Sequence, residues 1–196
     1  MWNHNAHFHR YLLRQLPEQV HRILDVGCGL GVFARKLAER AEFVDAIDVD
    51  SVVLTEASSR NIAPNIHSQQ AGFLETDFPK ASYDAIAFIA SLHHMDLEMA
   101  LEKAKVLLRP SGKLLVLGLY REETPIDYLY SAISVPLNLI YLNGHRTSTP
   151  SPTTPISTLS PRLSLEQIEA VAKTLIPGFR LQRHLLWRYS LIWQKH

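Results

Sequence analysis

Apolar positions along the chain follow two alternating patterns. Four short runs rich in Val, Ile, Leu and Ala are typical of buried strands, and they read RILDVG, FVDAIDVD, YDAIAFIAS and GKLLVLGLY. Between them, apolar residues at helical spacing predict helices in VFARKLAERA, VVLTEASSRN and EMALEKAKVLLR. Strands that alternate with helices predict parallel βαβ units with right-handed crossovers, and therefore an α/β fold with helices on both faces of one sheet.

Weaker signals complete the predicted sheet. A third strand is expected around Asn65 to Gln70, and RPSGK is expected to form a turn between a helix and the next strand. Near the C terminus, SLEQIEAVAKTLI predicts a helix with a capping box, in which Ser164 is the N-cap and Gln167 lies three positions later. FRLQRHLLWRYSLIWQK predicts two strands joined by a tight turn, which would close the sheet as a hairpin.

Two segments before the last helix need separate interpretations. Tyr128 to Gly144 is uncharged, contains Pro136 and is shorter than the roughly 20 predominantly apolar residues of a membrane span. We interpret it as a buried or pocket-lining helix with a proline break rather than a membrane-surface element. From Asn143 to Ser164 the chain holds four of its eleven prolines. A disordered linker and an ordered lid or active-site loop both fit that composition.

Length and charge limit the function classes. A chain of 196 residues predicts one domain, and a formal net charge of +1 without a basic stripe gives no support for a nucleic-acid partner. The single cysteine, Cys28, cannot form an internal disulfide, which indicates a reducing, cytoplasmic location. MWNHNAHFHR lacks the apolar region of a signal peptide.

A glycine cluster between the first strand and the first internal helix marks a ligand site. Gly27, Gly29 and Gly31 form G-x-G-x-G, a motif shared by dinucleotide and other nucleoside binders. Asp48 ends the next strand, where a carboxylate can accept hydrogen bonds from ribose hydroxyls. Asp25, two residues before the cluster, would repel a bound pyrophosphate and therefore favours a ligand with a positive end. S-adenosylmethionine, with its ammonium and sulfonium groups, is such a ligand.

Four motifs in succession resemble the class I S-adenosylmethionine-dependent methyltransferases. They read ILDVGCGLGVFA, AIDVD, SYDAIAFIASLHHM and LLRPSGKLLVLGLY, and together they span roughly residues 20 to 120. HNAHFHRYLLRQLP and RHLLWRYSLIW are similar to a group of small bacterial members, of the methyltransferase type 11/12 kind. The resemblance implies a Rossmann-like, doubly wound seven-stranded sheet, mostly parallel with a C-terminal antiparallel hairpin. It also implies S-adenosyl-L-methionine as cofactor and methyl transfer by in-line displacement.

The resemblance assigns roles in cofactor binding. Asp25 would reach the amino group of the ligand, although it could instead cap nearby backbone N–H groups. Asp48 would bind the ribose diol, with Asp50 as a competitor that is expected to be solvated, and Val49 would pack on the adenine face. Cys28 is expected to be a small packed residue rather than a nucleophile. The implied cofactor set is Asp25, Gly27, Cys28, Gly29, Gly31, Asp48, Val49, Gly72, Phe73 and Ser91.

The chain departs from the family pattern after the third strand. Related enzymes often carry an acid there, as in GDF, which receives the adenine amino group, whereas this chain reads AGF with Gly72. Glu75 and Asp77 are the candidates to replace that acid. Phe73 is expected to stack on adenine and to offer its N–H to a ring nitrogen.

The segment SLHHM, after the fourth strand, supplies the candidate catalytic residue. His94 is predicted to lie where the open edge of the sheet faces the methyl group, and a histidine is suited to proton transfer near neutral pH. A base in that position contributes roughly 10²–10⁴-fold to the rate. A histidine that only shapes the pocket is the alternative, and His93 is expected to point into packing.

The resemblance also implies how the two ends of the sheet are covered. Residues 1–20 are expected to form a lid helix, with Asn5, His7 and Tyr11 lining the lid or the substrate cavity; a solvated surface is the alternative. No metal site is expected among His4, His7 and His9, because no cysteine or acid cluster matches them. Residues 121–163 are expected to form an inserted cap helix and Pro/Ser/Thr-rich loop, so that 1–196 is one methyltransferase domain.

The acceptor is inferred by exclusion. IASLHH lacks the Asn-Pro-Pro-aromatic set used on flipped bases, paired glutamates for an arginine side chain and an acid for a divalent metal. A small, rather apolar metabolite remains as the expected acceptor. Two alternatives stay open: a non-catalytic S-adenosylmethionine-binding regulatory or scaffolding subunit, and an NAD-dependent oxidoreductase, against which Asp25 and the C-terminal hairpin speak.

Overall fold

Seven strands and six α-helices make up the regular structure of the part of the chain that the structure describes. The structure is a computed structural model that describes residues 4–17, 19–59, 63–144 and 160–196. The strands are β1 (Val20–Val26), β2 (Ala41–Asp48), β3 (Ile66–Gln70), β4 (Tyr83–Ile89), β5 (Leu108–Gly118), β6 (Arg180–His184) and β7 (Arg188–Gln194). The helices are α1 (His4–Leu13), α2 (Val32–Ala38), α3 (Ser51–Ser59), α4 (Leu97–Leu107), α5 (Pro125–Gly144) and α6 (Leu165–Leu175), with a 3-10 turn at Leu92–His94.

All seven strands belong to one sheet, in the order β3-β2-β1-β4-β5-β7-β6. The first five strands are parallel, and β7 runs antiparallel to both β5 and β6. The predicted fold class is confirmed, because this is a mostly parallel seven-stranded sheet that ends in an antiparallel hairpin.

Burial on both faces explains why the central strands are uninterrupted apolar runs. In β4, Ile86 and Phe88 point into a cluster with α4 and α6, whereas Ala85 and Ala87 point into a cluster with α1 and α2. Successive side chains of a strand alternate between the two faces of the sheet. Where helices cover both faces, the side chains on each face are therefore buried and apolar. The sheet is therefore the middle layer of three.

Local signals fix two of the helix starts. The Asp96 side chain accepts a hydrogen bond from the backbone N–H of Met99 at the start of α4. At the start of α6 the predicted capping box is present: the Ser164 hydroxyl accepts from the Gln167 N–H at 3.4 Å, and the Gln167 amide oxygen accepts from the Ser164 N–H at 2.9 Å. These bonds satisfy N–H groups that have no partner within a helix.

RPSGK was expected to be a simple turn, but it lies inside β5 as an irregularity of the strand. Tyr83 pairs with Leu108, and two residues later Ala85 pairs with Lys113, so β5 carries extra residues between two ladder positions. Ser111 within this bulge has a φ of 63°. The strand thus begins directly after α4 and bulges where the turn was predicted.

Of the two expected placements of helix α5, buried or pocket-lining, the second describes it better, because Tyr130 and Leu137 line a cavity while much of the helix is exposed. It continues through Pro136, and it exposes about half of the side-chain surface of Ile133 (48%) and Val135 (51%) while burying Asp127 and Ser134. Its polar side therefore faces the protein, since hydrogen bonds hold it there. Among the described residues, no helix is long and apolar enough to cross a membrane. Residues 145–159, the larger part of the predicted Pro/Ser/Thr-rich loop, lie outside the described residues.

Candidate functional site

The candidate cofactor residues meet at one edge of the sheet. The carboxyl ends of parallel strands lie side by side, so the residues that follow β1, β2, β3 and β4 are brought together there. These residues include the glycine loop after β1, Asp48 at the end of β2, Gly72 after β3 and Ser91 after β4. The expected cofactor positions therefore share one edge, although they lie far apart along the chain.

Two glycines of the loop have different physical reasons to be glycine. Gly27 has a φ of +69°, and a Cβ there would lie 2.4 Å from the Cβ of Ser91, so a side chain has no room. Gly29 has a φ of +52°, and a Cβ there would meet nothing within 4 Å. Ser91 itself is buried and donates its hydroxyl hydrogen bond to the Val26 carbonyl. Gly27 and Ser91 thus close the base of the loop, and Gly29 leaves its outer side open.

Asp25 is a buried carboxyl group that the protein leaves without a partner. It is 1% exposed, and neither carboxylate oxygen has a hydrogen-bond partner among the described residues. Burial, helped by the negative charge of Asp48, raises the pKa of Asp25 to about 7. Because a buried carboxylate is costly unless it is paired, a cationic ligand group at this position would relieve that cost. The backbone N–H of Ala34 favours the charged form of Asp25 and so opposes that rise in its pKa, which keeps the role of a backbone cap as the alternative.

Asp48 holds the glycine loop in place. One of its carboxylate oxygens accepts from the Gly29 N–H at 2.9 Å, and the other accepts from the Asp50 N–H at 3.0 Å. Each carboxylate oxygen has a second lone pair, so ribose hydroxyls could be accepted as well. Asp50 is engaged elsewhere, because its side chain accepts from the N–H groups of Val52 and Val53 at the start of α3.

Two further cofactor candidates differ in exposure. Val49 is 71% exposed directly after β2, which leaves its side chain free to cover an apolar ring. Cys28 is half-buried, and burial raises the pKa of its thiol, so the sulfur stays protonated and is not an activated nucleophile. This agrees with the expectation that Cys28 is a packed residue.

The region around Gly72 shows where Glu75 lies and corrects one expectation about Phe73. A Cβ on Gly72 would lie 2.1 Å from a carboxylate oxygen of Glu75, so Glu75 fills the space of the missing side chain. The turn that brings Glu75 back is closed by the Thr76 N–H, which donates to the Gly72 carbonyl at 3.1 Å. The expectation that the Phe73 ring stacks on adenine is wrong, because that ring is 3% exposed and packs edge-on against Phe88.

His93 and His94 lie together beside a cavity of about 290 Å³. Their ring centroids are 4.0 Å apart. Burial lowers the pKa of His94 below its ordinary value, and the nearby charge of Asp48 opposes that shift. Burial, with smaller contributions from His94 and Arg188, lowers the pKa of His93 to about 4, and its Nδ1 is buried without a partner among the described residues. Both rings are therefore neutral at pH 7, and only His94 lies within electrostatic reach of the cofactor residues.

Helix α1 contacts strand β7 at this edge of the sheet. The Asn5 side-chain oxygen accepts from the Arg188 guanidinium at 2.9 Å, and the Tyr11 hydroxyl lies 3.4 Å from the hydroxyl of Ser190. His7 lines a second cavity, of about 400 Å³. His9 instead packs against the ring of a core phenylalanine of α2.

His7 and His9 are the α1 histidines whose side chains the structure describes. The described residues contain no cluster of three or more His, Cys, Asp or Glu side chains that could hold a metal ion. The side chain of His4 lies outside the described residues.

The structure also reveals basic residues that the sequence interpretation did not single out. Arg188, at the start of β7, is 9% exposed, and Arg183, at the end of β6, forms an ion pair of 2.7 Å with the buried Asp127. The signal for Arg188 was present in RHLLWRYSLIW, since a charged residue within an apolar strand is unusual unless it is paired or functional.

Comparisons with known proteins agree with this geometry. The profile of a family described as "Methyltransferase domain" matches residues 23–112. An uncharacterised methyltransferase of Mycobacterium tuberculosis is 29% identical over 196 residues, covering 98% of this chain and 96% of that protein. An S-adenosylmethionine-dependent methyltransferase from Mesorhizobium loti shares the fold, with a TM-score of 0.66 at 16% identity over 95% of this chain and 96% of that one. Phosphoethanolamine N-methyltransferase 2 of Haemonchus contortus, in complex with phosphomonomethylethanolamine and S-adenosylhomocysteine, gives a TM-score of 0.64 at 22% identity over 92% of this chain and 38% of that one.

Proposed function

The chain belongs to the class I S-adenosylmethionine-dependent methyltransferases, and we propose that it transfers the methyl group to a small-molecule acceptor by in-line displacement. The environment of Asp25 is the main support for this proposal. Its buried, unpartnered carboxylate lies beside the glycine loop, where the ammonium group of S-adenosylmethionine would pair with it. A dinucleotide would bring a phosphate to this position and meet repulsion instead.

The residues present fit the remaining parts of the cofactor. Asp48 would accept hydrogen bonds from the ribose hydroxyls while it continues to hold the Gly29 N–H. Val49 would cover one face of adenine with its exposed side chain. The Glu75 carboxylate, which fills the space beside Gly72, would receive the adenine amino group, and the backbone N–H of Phe73 would face a ring nitrogen.

Methyl transfer requires mainly alignment of three atoms. When bound, the cofactor supplies a methyl carbon that its sulfonium has already activated. The chain then has to hold the acceptor nucleophile in line with that carbon and to accept its proton. His94 lies within reach of the Asp48 charge and lines the cavity of about 290 Å³, which supports a position for it between the cofactor and the acceptor. Because burial keeps its ring neutral, His94 would accept the proton as a general base.

The size of the cavities supports a small acceptor. The two cavities at this edge, of about 290 and 400 Å³, match the volume of metabolite-sized ligands. The phosphoethanolamine methyltransferase among the similar structures acts on a small molecule of this kind. Apolar side chains of Leu92, Leu119 and Ile168 line the first cavity, which favours an acceptor with an apolar part.

The first experiment follows the fate of a labelled methyl group. Purified protein is incubated with methyl-labelled S-adenosylmethionine and either a filtered metabolite extract or the macromolecules of the same cells. Label is expected in the metabolite fraction and is expected to disappear with Asp48→Ala, which removes the anchor of the glycine loop. Label confined to protein or nucleic acid would contradict a small-molecule acceptor.

The role of His94 is tested by substitution and by pH. His94→Asn is expected to lower kcat by about 10²–10⁴-fold, while KM for S-adenosylmethionine changes little. In the wild type, kcat should fall with acid as His94 is protonated, with a midpoint below 6.5 because burial lowers its pKa. The matched control, His67→Asn, changes an exposed histidine on β3. A pH profile that survives unchanged in His94→Asn assigns His94 a positioning role only.

A further inference from the structure

Arg188 is a buried cation at the same edge of the sheet as the cofactor residues. It begins β7, and because β7 runs antiparallel to β5, with Gly118 opposite Tyr189, the start of β7 lies beside the carboxyl end of β5. The residue is 9% exposed. Its charge helps to lower the pKa of His93, a residue that lines the cavity of about 290 Å³. Arg188 is thus close to the predicted acceptor site.

The protein surrounds the Arg188 guanidinium with neutral acceptors. Its Nε donates to the Asn5 side-chain oxygen at 2.9 Å, and its Nη1 donates to the carbonyls of Leu186 at 3.2 Å and Trp187 at 3.4 Å. No carboxylate of the described residues forms an ion pair with it, and burial lowers its pKa to about 10. A buried charge without an opposite charge is costly, so this arrangement calls for an anion.

The turn before Arg188 fixes the guanidinium in one direction. Leu186 and Trp187 both have left-handed backbone conformations, with φ of 62° and 59°. Such conformations are unfavourable for residues other than glycine and persist where surrounding contacts hold them. The Leu186 N–H donates to the buried Ser134 hydroxyl at 2.8 Å, and its carbonyl receives the Arg188 Nη1. The hydrogen bonds to described residues therefore use Nε and Nη1, which leaves Nη2 to meet a ligand.

The charges around Arg188 separate the site into an acidic and a basic side. Asp25 and Asp48 lie at the ends of β1 and β2, on the cofactor side. On the hairpin side, Arg183 is already paired with Asp127, so Asp127 is not available to Arg188. Among the described residues on this side, the neighbouring histidines are neutral and Arg162, which lines the cavity, is exposed to solvent, so Arg188 is the buried charge that a ligand would balance.

We propose that Arg188 binds an anionic oxygen group, a carboxylate or a phosphate, on the methyl acceptor. This inference rests on the proposed function and specifies its substrate class: an acceptor with an apolar body and an anionic end. A guanidinium suits such groups because its planar N–H donors match two oxygens at once. The cavity walls supply apolar contacts for the remainder of the molecule.

Matched pairs of acids and neutral amides test the proposal by binding alone. Protein saturated with S-adenosylhomocysteine is titrated calorimetrically with cinnamate and cinnamamide, with octanoate and octanamide, and with octyl phosphate. At least one anion is expected to bind about tenfold more tightly than its amide, as for a charge-assisted hydrogen bond. Octanoate against octyl phosphate then distinguishes a carboxylate from a phosphate acceptor.

Three arginine variants locate the anion site. Arg188→Gln should reduce the acid's affinity to that of the amide, whereas Arg180→Gln, at the opposite end of the hairpin, should keep the preference. Three results would overturn the proposal. The wild type could bind every acid less than about twofold more tightly than its amide, the preference for the acid could survive in Arg188→Gln, or Arg162→Gln could remove it instead. If Arg188→Gln does not fold, the comparison of acids with amides in the wild-type protein still tests the proposal. Failure of S-adenosylhomocysteine itself to bind would instead contradict the proposed function.

Discussion

At the scale of single residues, Asp25 is suited to binding the cofactor but destabilises the ligand-free protein. Asp25 has a pKa raised to about 7, so the folded protein binds a proton there that the unfolded chain, with a value near 3.8, releases. The contribution of Asp25 to stability therefore falls as pH rises from about 4 through 7, and its full cost is present above 7. Asp25→Asn should raise the free energy of unfolding at pH 8 by about 1–3 kcal/mol.

The same substitution should weaken cofactor binding. Asp25→Asn removes the negative charge opposite the ammonium, so the dissociation constant of S-adenosylhomocysteine should rise at least about tenfold. Urea unfolding and calorimetry on the same samples measure the two effects. Glu42→Gln, at an exposed carboxylate at the opposite end of β2, is the control and should change neither quantity by much. A variant that is both less stable and equally tight in binding would refute the assigned role.

Glu75 provides a second test at this scale. Because its carboxylate takes the space beside Gly72, Glu75→Gln should weaken S-adenosylhomocysteine binding by about three- to tenfold, while Asp77→Asn should leave it unchanged. The deaminated ligand S-inosylhomocysteine lacks the amino group and should bind both proteins equally. If Glu75→Gln weakens the binding of S-inosylhomocysteine as much as that of S-adenosylhomocysteine, the Glu75 carboxylate does not contact the adenine amino group.

At the scale of elements, substitutions at two glycines of the loop should distinguish an effect on stability from an effect on ligand binding. Gly27→Ala would place a Cβ 2.4 Å from Ser91 in a left-handed conformation, so it should cost several kcal/mol of stability, about 3 or more. Gly29→Ala meets no protein atom and should cost only about 1 kcal/mol from its φ. Its methyl group would point where the ligand is expected, so calorimetry should show a loss of affinity in a protein that unfolds almost like wild type. Unchanged affinity in Gly29→Ala would place the ligand elsewhere.

The elements themselves were predictable where one physical signal dominates. Strands β4 and β5 contain the continuous apolar runs AIAFI and LLVLG because both faces of the sheet are covered there, and α6 begins at a capping box that can be recognised from Ser164 and Gln167. The outward face of α5 was not predictable from hydropathy. Its orientation depends on Asp127 and Ser134, whose partners lie on the distant hairpin.

The candidate site shows the same division. Asp25, Asp48 and the glycines were found because their spacing within one βαβ unit fixes where they meet. The Phe73 ring was assigned wrongly, since sequence gives its position along the chain but not the face of the sheet on which it packs. Arg188 was overlooked because its burial and its proximity to His93 depend on how the hairpin joins β5.

At the scale of the whole molecule, strand order determines which charges face each other. Acidic groups follow β1 and β2, the two histidines follow β4, and Arg188 begins β7. With neighbouring strands about 4.8 Å apart, three strand spacings put β7 about 14 Å from β1. That distance leaves room for a cofactor on one side and an acceptor on the other, with His94 between them. In the proposed arrangement, the sheet would hold the cationic end of the cofactor and the anionic end of the acceptor apart, while the methyl group and the acceptor nucleophile would meet between them.

The charges of the whole molecule also determine how its stability depends on pH. His9 and His93 have pKa values of about 4, so below 6.5 the unfolded chain takes up protons that the folded protein refuses. Stability should fall with acid by up to about 1.4 kcal/mol per pH unit for buried His9, and by less for the partly exposed His93. Asp25 lowers stability in the opposite direction, so urea midpoints of ligand-free protein should be highest near pH 6.5. If the ammonium of S-adenosylhomocysteine pairs with Asp25 as proposed, saturating ligand should abolish the decline in stability at alkaline pH, whereas His9→Phe should reduce the decline at acid pH. An alkaline decline that persists at saturating ligand would show that the ammonium does not reach Asp25.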